Sequence, residues 1–265
     1  MPERVTIGDL NALIHRPPVE TGAPLLFVHG YFGRAIAFER MMEWFATRGH
    51  LCCAPDLRGH GDSQPGCDLG KVSIHDYAAD IERVARTMDS PVIIGHSMGG
   101  LIAQLAATKS CARGIVLLAP APPRGIPVIS FRLALAQMPY MPAIMTSHTV
   151  IPRRDDLRKL VVNRVPEKER EVVLDMLVPD SGRAAREMSI LGVPVDPDMV
   201  TVPTLVIAGD EDLFIPLARA ERVAVRYGAS MRVAPGRGHM LIIEPGYEEL
   251  CEWITEWLPR TRRAA

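Results

Sequence analysis

Gly95-His96-Ser97-Met98-Gly99 sets one serine between glycines, behind the apolar run Val92-Ile93-Ile94 and ahead of small residues that continue through Ala107. The pattern reads as a buried strand, a sharp turn that holds the hydroxyl out, and a helix. A serine held at positive φ in such a turn needs neighbours without a Cβ, so that the two backbones can approach. The chemistry this prepares is nucleophilic attack. A serine hydroxyl is a poor nucleophile near neutral pH, so an imidazole must take its proton and a carboxylate must orient the imidazole. Both partners are present, in the chain order serine, acid, histidine. His239, in Gly238-His239-Met240 after the last predicted strand, is the expected general base. Asp210, Glu211 and Asp212 compete for the acid. Asp212, just before Leu213-Phe214-Ile215-Pro216, is better placed to turn toward the histidine, while Asp210 and Glu211 suit turn-organising roles.

Acyl transfer also needs two backbone N–H groups for the oxyanion of the tetrahedral intermediate. Met98 N–H, next after the serine at a helix start, is one. Tyr31 N–H is the other, because His29-Gly30-Tyr31-Phe32-Gly33 follows the first buried strand of this reading. His29 reads as a hydrogen-bonded brace for that loop, since no partner stands at metal-ligand spacing. His60 and His96 receive the same reading.

The elements that must position these groups alternate between strand and helix patterns, as in a parallel sheet covered on both faces. Strands are expected over Pro24–Val28, His50–Ala54, the run into Ser97, Gly114–Ala119, Val202–Ala208 and Ser230–Ala234. Phe38, Met41, Met42 and Phe45 mark one amphipathic helix, and Ser73 with Asp76 resembles a capping box that opens another. Helices are also expected over about 217–227 and from Tyr247 to Leu258. From Arg124 to Asp198 no strand is expected, only short helical patterns broken by eight prolines. The division that follows is a core of residues 1–123 and 199–265 with a helical cap, 124–198, inserted.

Composition bounds the function. Thirty basic against 31 acidic side chains give a formal charge of −1, which offers no footprint for nucleic acid or an anionic membrane. The five cysteines are odd in number, lack CxxC spacing and sit mostly in apolar runs, as expected in a reducing cytoplasm. The first residues carry no apolar signal region, and no apolar run reaches membrane-spanning length.

The motifs together resemble the α/β-hydrolase superfamily over nearly the whole chain: His29-Gly30-Tyr31, the segment Asp56 to Ser63, Gly95 to Gly100, Gly209 to Asp212 with Pro216, and Gly238-His239. The resemblance implies an eight-stranded, mostly parallel sheet, a cap after the sixth strand, and a Ser97–Asp212–His239 triad. It favours Asp212 over Asp210 and makes Asp56–Ser63 structural. Serine at the elbow argues against family members that attack with an aspartate. The expected function is a cytoplasmic serine esterase that needs no cofactor or metal and acts on small to medium hydrophobic esters. Phe131, Met138, Tyr140, Met141 and Met145 are the expected substrate contacts, from a methionine-rich stretch that can adapt to varied apolar groups. The same triad could serve C–C bond hydrolysis, lactone or thioester cleavage, or perhydrolysis. A non-catalytic ligand receptor on this fold is the alternative from another class.

Overall fold

Leu25–Val28, Val92–His96 and Gly114–Leu118 are buried at every position, because each strand lies inside a sheet covered on both faces. Their alternate residues enter two separate cores. In the computed structural model, which describes residues 2–127 and 135–258, Leu26, Val28, Ile93 and Leu117 join one apolar cluster. Leu25, Phe27, Ile94 and Leu118 join the other. A continuous apolar run is thus what two half-cores require of one strand.

Ten strands are described, numbered in chain order: β1 Glu3–Ile7, β2 Leu10–His15, β3 Leu25–Val28, β4 Cys52–Pro55, β5 Val92–His96, β6 Gly114–Leu118, β7 Thr149–Val150, β8 Asp180–Ser181, β9 Thr204–Gly209 and β10 Ser230–Ala234. Eight form the main sheet in the order β1-β2-β4-β3-β5-β6-β9-β10. β2 pairs antiparallel with both β1 and β4, and the remaining pairings are parallel. The six strands expected from the pattern are all present, with ends moved by one or two residues. β1 and β2 precede the first of them.

The face built on Phe27 is covered by helix α1 (Glu39–Ala46) and the helix Tyr247–Trp257, through Phe38, Met41, Phe45, Leu250 and Ile254. The opposite face is covered by α2 (Ile74–Arg86), α3 (Met98–Ala107) and the helix Leu217–Tyr227. Ser73 caps α2 as a full capping box: its Oγ accepts from Asp76 N–H while the Asp76 carboxylate accepts from Ser73 N–H.

Between β6 and β9 the chain leaves the sheet. It forms short helices, Met141–Thr146, Arg154–Leu160, Glu167–Asp175 and Gly182–Arg186, and the antiparallel ribbon β7–β8. The expectation of no strand between Arg124 and Asp198 is corrected by this ribbon. Each of its strands is two residues long, too short to show a period of two. Arg154 and Arg158 pair with Glu171 and Asp175 on the neighbouring helix. Among the described residues no helix is long and apolar enough to cross a membrane.

Candidate active site

Ser97 occupies the turn between β5 and α3 with φ 54° and ψ −119°, a region that a side-chain-bearing residue enters only at a cost. The surroundings hold it there. Ser97 N–H donates to Leu118 C=O at 3.0 Å, and Ser97 C=O accepts from Gly100 and Ala121 N–H at 2.9 Å each. The flanking glycines are needed for close approach: a Cβ on Gly95 would sit 2.2 Å from Gly99 O, and one on Gly99 would sit 2.1 Å from Val28 O. Backbone cannot yield at such distances, so no larger residue fits.

The three groups expected to converge do so. His239 Nε2 lies 3.0 Å from Ser97 Oγ, and His239 Nδ1 lies 2.8 Å from Asp212 Oδ2. All three residues are buried. Asp212 is itself fixed, since its Oδ1 accepts from Phe214 and Ile215 N–H at 2.8 Å each. Asp210 instead accepts from Gly236 N–H at 2.7 Å, and Glu211 pairs with Arg164 at 3.0 Å. Asp210 thus serves the turn, whereas the Glu211 carboxylate ties it to the inserted segment.

His239 is braced from behind by groups the sequence reading did not single out for this task. His96 Nε2 donates to His239 C=O at 2.8 Å, and the buried Glu244 accepts from Gly238 N–H at 2.8 Å. The Phe214 ring lies 4.9 Å from the His239 ring, centre to centre. Burial, reinforced by the neighbouring His239 ring, pushes His96 down to about 3. Burial, reinforced by His60, pushes His29 down to about 4. His29 Nδ1 donates to Gly30 C=O and its Nε2 accepts from Leu57 N–H, a bracing geometry that needs the neutral ring.

These two histidines make stability fall with acid. The unfolded chain protonates them near pH 6.5, whereas the folded protein resists until about 4 and about 3, so their contribution is whole above about 6.5 and is lost as pH falls. By about pH 4.5 the imbalance is on the order of 3 kcal/mol for each histidine. The melting temperature should therefore drop clearly between pH 7 and about 4.5, and less so in His29→Gln. A wild-type melting temperature flat over that interval would contradict the burial argument.

The two N–H groups expected to hold an oxyanion, those of Met98 and Tyr31, are both placed beside Ser97. Met98 opens α3, where first-turn N–H groups have no intrahelical acceptor. Phe32 N–H is taken by Asp180 Oδ2 at 2.8 Å, while among the described residues no hydrogen bond uses Tyr31 N–H.

Tyr31, Ser97 and Met98 open into an apolar cleft. A second cavity meets Ser97 from the His239 side. Of the expected substrate contacts among the described residues, Tyr140 alone lines the large cleft. Met138 and Met145 are corrected: they are 64% and 53% exposed and point away. Met141 packs into the cluster beneath the inserted helices, and Phe131 lies outside the described residues. The cleft is lined instead by Ile144, Val150, Leu157, Leu160, Met188 and Phe214. Spacing along the sequence could not separate these from ordinary packing residues, because the walls come from five different elements. Among the described residues no cluster of His, Cys, Asp or Glu is arranged to hold a metal ion.

A mostly parallel sheet of this order, with a strained serine after its central strand and a histidine and acid from later loops, defines an α/β hydrolase. Residues 25–253 match the model of the alpha/beta hydrolase family, and the chain belongs to that family. It is 27% identical over 260 residues to a monoacylglycerol lipase of Mycolicibacterium smegmatis, covering 91% of this chain and 90% of that protein. It is 26% identical to a non-heme chloroperoxidase of Burkholderia pyrrocinia, covering 83% and 86%. Among solved structures, that of a monoacylglycerol lipase of Paleococcus ferrophilus matches with a TM-score of 0.70 at 22% identity, covering 94% of this chain and 98% of that one.

Proposed function

We propose that this protein is a serine carboxylic-ester hydrolase, with Ser97 as nucleophile, His239 as general base and acid, and Asp212 as the group that orients His239. The observation that carries the reading is the continuous hydrogen-bonded chain from Ser97 Oγ through His239 to Asp212, opening on an apolar cleft. Ser97 Oγ attacks the ester carbonyl as its proton passes to His239 Nε2. The carbonyl oxygen becomes an oxyanion held by Met98 and Tyr31 N–H. Collapse expels the alkoxide, which takes the proton from His239, and leaves an acyl group on Ser97. Water, deprotonated by His239, then releases the acid and restores the serine. No step calls on a cofactor or metal.

The segment 124–198 acts as a cap over the 1–123 and 199–265 core, and its Ile144, Leu157 and Leu160 select an uncharged acyl or alcohol group. Likeness to a monoacylglycerol lipase over nine-tenths of the chain supports an ester with an apolar chain. The five free thiols fit a reducing cytoplasm. A fluorophosphonate probe should label the wild type at one site and leave Ser97→Ala unlabelled, and the wild type should hydrolyse p-nitrophenyl butyrate. A folded wild type that is neither labelled nor active would overturn the reading and favour a receptor. A panel of thioesters, lactones and peroxide-dependent assays on the same preparation distinguishes the other uses of the triad.

A further inference from the structure

Phe32, next to the proposed oxyanion donor Tyr31, is held in the left-handed backbone region at φ 63°. For a bulky side chain that conformation costs roughly 1 kcal/mol or more and persists only when its surroundings impose it. What imposes it comes from the inserted segment, about 150 residues further along the chain. Asp180 Oδ2 accepts from Phe32 N–H at 2.8 Å, and Val178 N–H donates to Phe32 C=O at 3.0 Å. Both peptide groups of the strained residue are gripped by one short stretch. Tyr31 is tied to the same stretch, since its hydroxyl donates to Ser181 C=O at 2.8 Å.

Asp180 is in turn over-determined. It is fully buried, and its Oδ1 accepts from Tyr77 O–H at 2.9 Å and from Ser181 N–H at 2.7 Å. His60 Nε2 lies 3.1 Å from Asp180 Oδ2, close enough for an ion pair although off the line of a straight hydrogen bond. His60 Nδ1 faces Arg58 C=O at 3.2 Å, so both ring nitrogens meet acceptors, as a protonated imidazole requires. Burial alone would lower His60 and raise Asp180; their mutual attraction outweighs it and shifts each the other way. Every group facing the carboxylate is therefore a donor. Four elements meet there: the loop after β3, the loop after β4, helix α2 and strand β8.

We infer that Asp180 is a positioning residue for catalysis: by taking Phe32 N–H it fixes the Tyr31–Phe32 backbone, leaving Tyr31 N–H free to face the reacting carbonyl. The inference rests on the serine-hydrolase reading above. It makes the inserted segment part of the oxyanion apparatus as well as a wall of the cleft. Asp180 touches neither substrate nor nucleophile, and its effect passes through the loop it holds.

The test is Asp180→Asn. The amide has the same shape, but whichever way it turns its NH₂ meets a donor, so Phe32 N–H or the Tyr77 and Ser181 pair loses its acceptor. Loss of one oxyanion donor costs about 10²- to 10³-fold in kcat, and a misdirected donor should fall near the lower figure. For p-nitrophenyl butyrate, kcat should drop about 10²-fold with KM changed less than about threefold. The reporter is the matching thionoester. Its C=S accepts hydrogen bonds poorly, so a damaged oxyanion hole should slow it less than about threefold, whereas general disruption slows both substrates alike.

Tyr77→Phe, which removes one anchor of Asp180 and keeps the buried ring, should show the same oxoester bias at about a tenth of the effect. It serves if Asp180→Asn does not fold. Equal loss on both esters in the folded variant, or no loss on either, overturns the inference alone. A wild type inert toward the oxoester would overturn the serine-hydrolase reading first and this inference with it.

Discussion

Ser97→Ala should lower kcat for p-nitrophenyl butyrate by about 10⁵- to 10⁶-fold, the scale on which removal of a triad nucleophile elsewhere has registered. The fold should survive, because the serine contributes to the elbow through its backbone. Its N–H and C=O hold the turn, and both remain in alanine. His239→Ala should be nearly as inactive, since the ring nitrogen that is hydrogen-bonded to Oγ, His239 Nε2 at 3.0 Å, is then gone. The double variant should be no worse than either single one, because residues that act on one proton lose their function together. Steady-state kinetics at substrate concentrations above KM, with circular dichroism to establish folding, measures all three. Turnover within about tenfold of the wild type in folded Ser97→Ala would remove Ser97 from the chemistry.

What could be read from residue order and what could not divides along a physical line. The interior strands β3, β5 and β6 were legible because burial on two faces demands unbroken apolar runs. The elbow was legible because backbone crowding at 2.1 and 2.2 Å admits only glycine at positions 99 and 95. β1 left no such trace. As an edge strand it is mostly exposed, and Glu3-Arg4-Val5-Thr6-Ile7 carries only a weak alternation. β2 escaped notice because Ala12, Leu13 and Ile14 are buried together, which breaks the alternation. The eight-strand count came from family resemblance.

The cleft was misread for a related reason. The stretch 131–145 is rich in apolar side chains, but which of them face inward depends on how short helices pack over the sheet. Met138 and Met145 ended outside, while Leu157, set among Arg154, Asp155, Asp156, Arg158 and Lys159 along the chain, ended inside. Asp180 was invisible altogether. Its partners Phe32, His60 and Tyr77 lie 148, 120 and 103 positions away, and no local pattern marks it.

Asp212→Asn should damage kcat far more than Asp210→Asn, although the two acids stand two residues apart in one turn. Asp212 Oδ2 receives His239 Nδ1–H at 2.8 Å, and its Oδ1 is committed to Phe214 and Ile215 N–H. Those two backbone donors fix which end of an asparagine would face them: the oxygen. The NH₂ then points at His239 Nδ1, which can only respond by accepting, and the proton moves to Nε2. In that tautomer Nε2 donates toward Ser97 Oγ and cannot take its proton. The loss should be about 10⁴-fold in kcat near neutral pH, the magnitude seen when a triad acid is converted to its amide. The Asp210 carboxylate accepts from Gly236 N–H in the turn, so its amide keeps an oxygen for that bond, and kcat should change less than about fivefold. The tautomer argument also predicts partial recovery at high pH, where hydroxide can replace the missing base, so the Asp212→Asn deficit should narrow as pH rises above about 9. Parallel pH–kcat profiles of the two variants decide the matter. A larger loss in Asp210→Asn would mean that His239 is oriented by a different carboxylate during turnover.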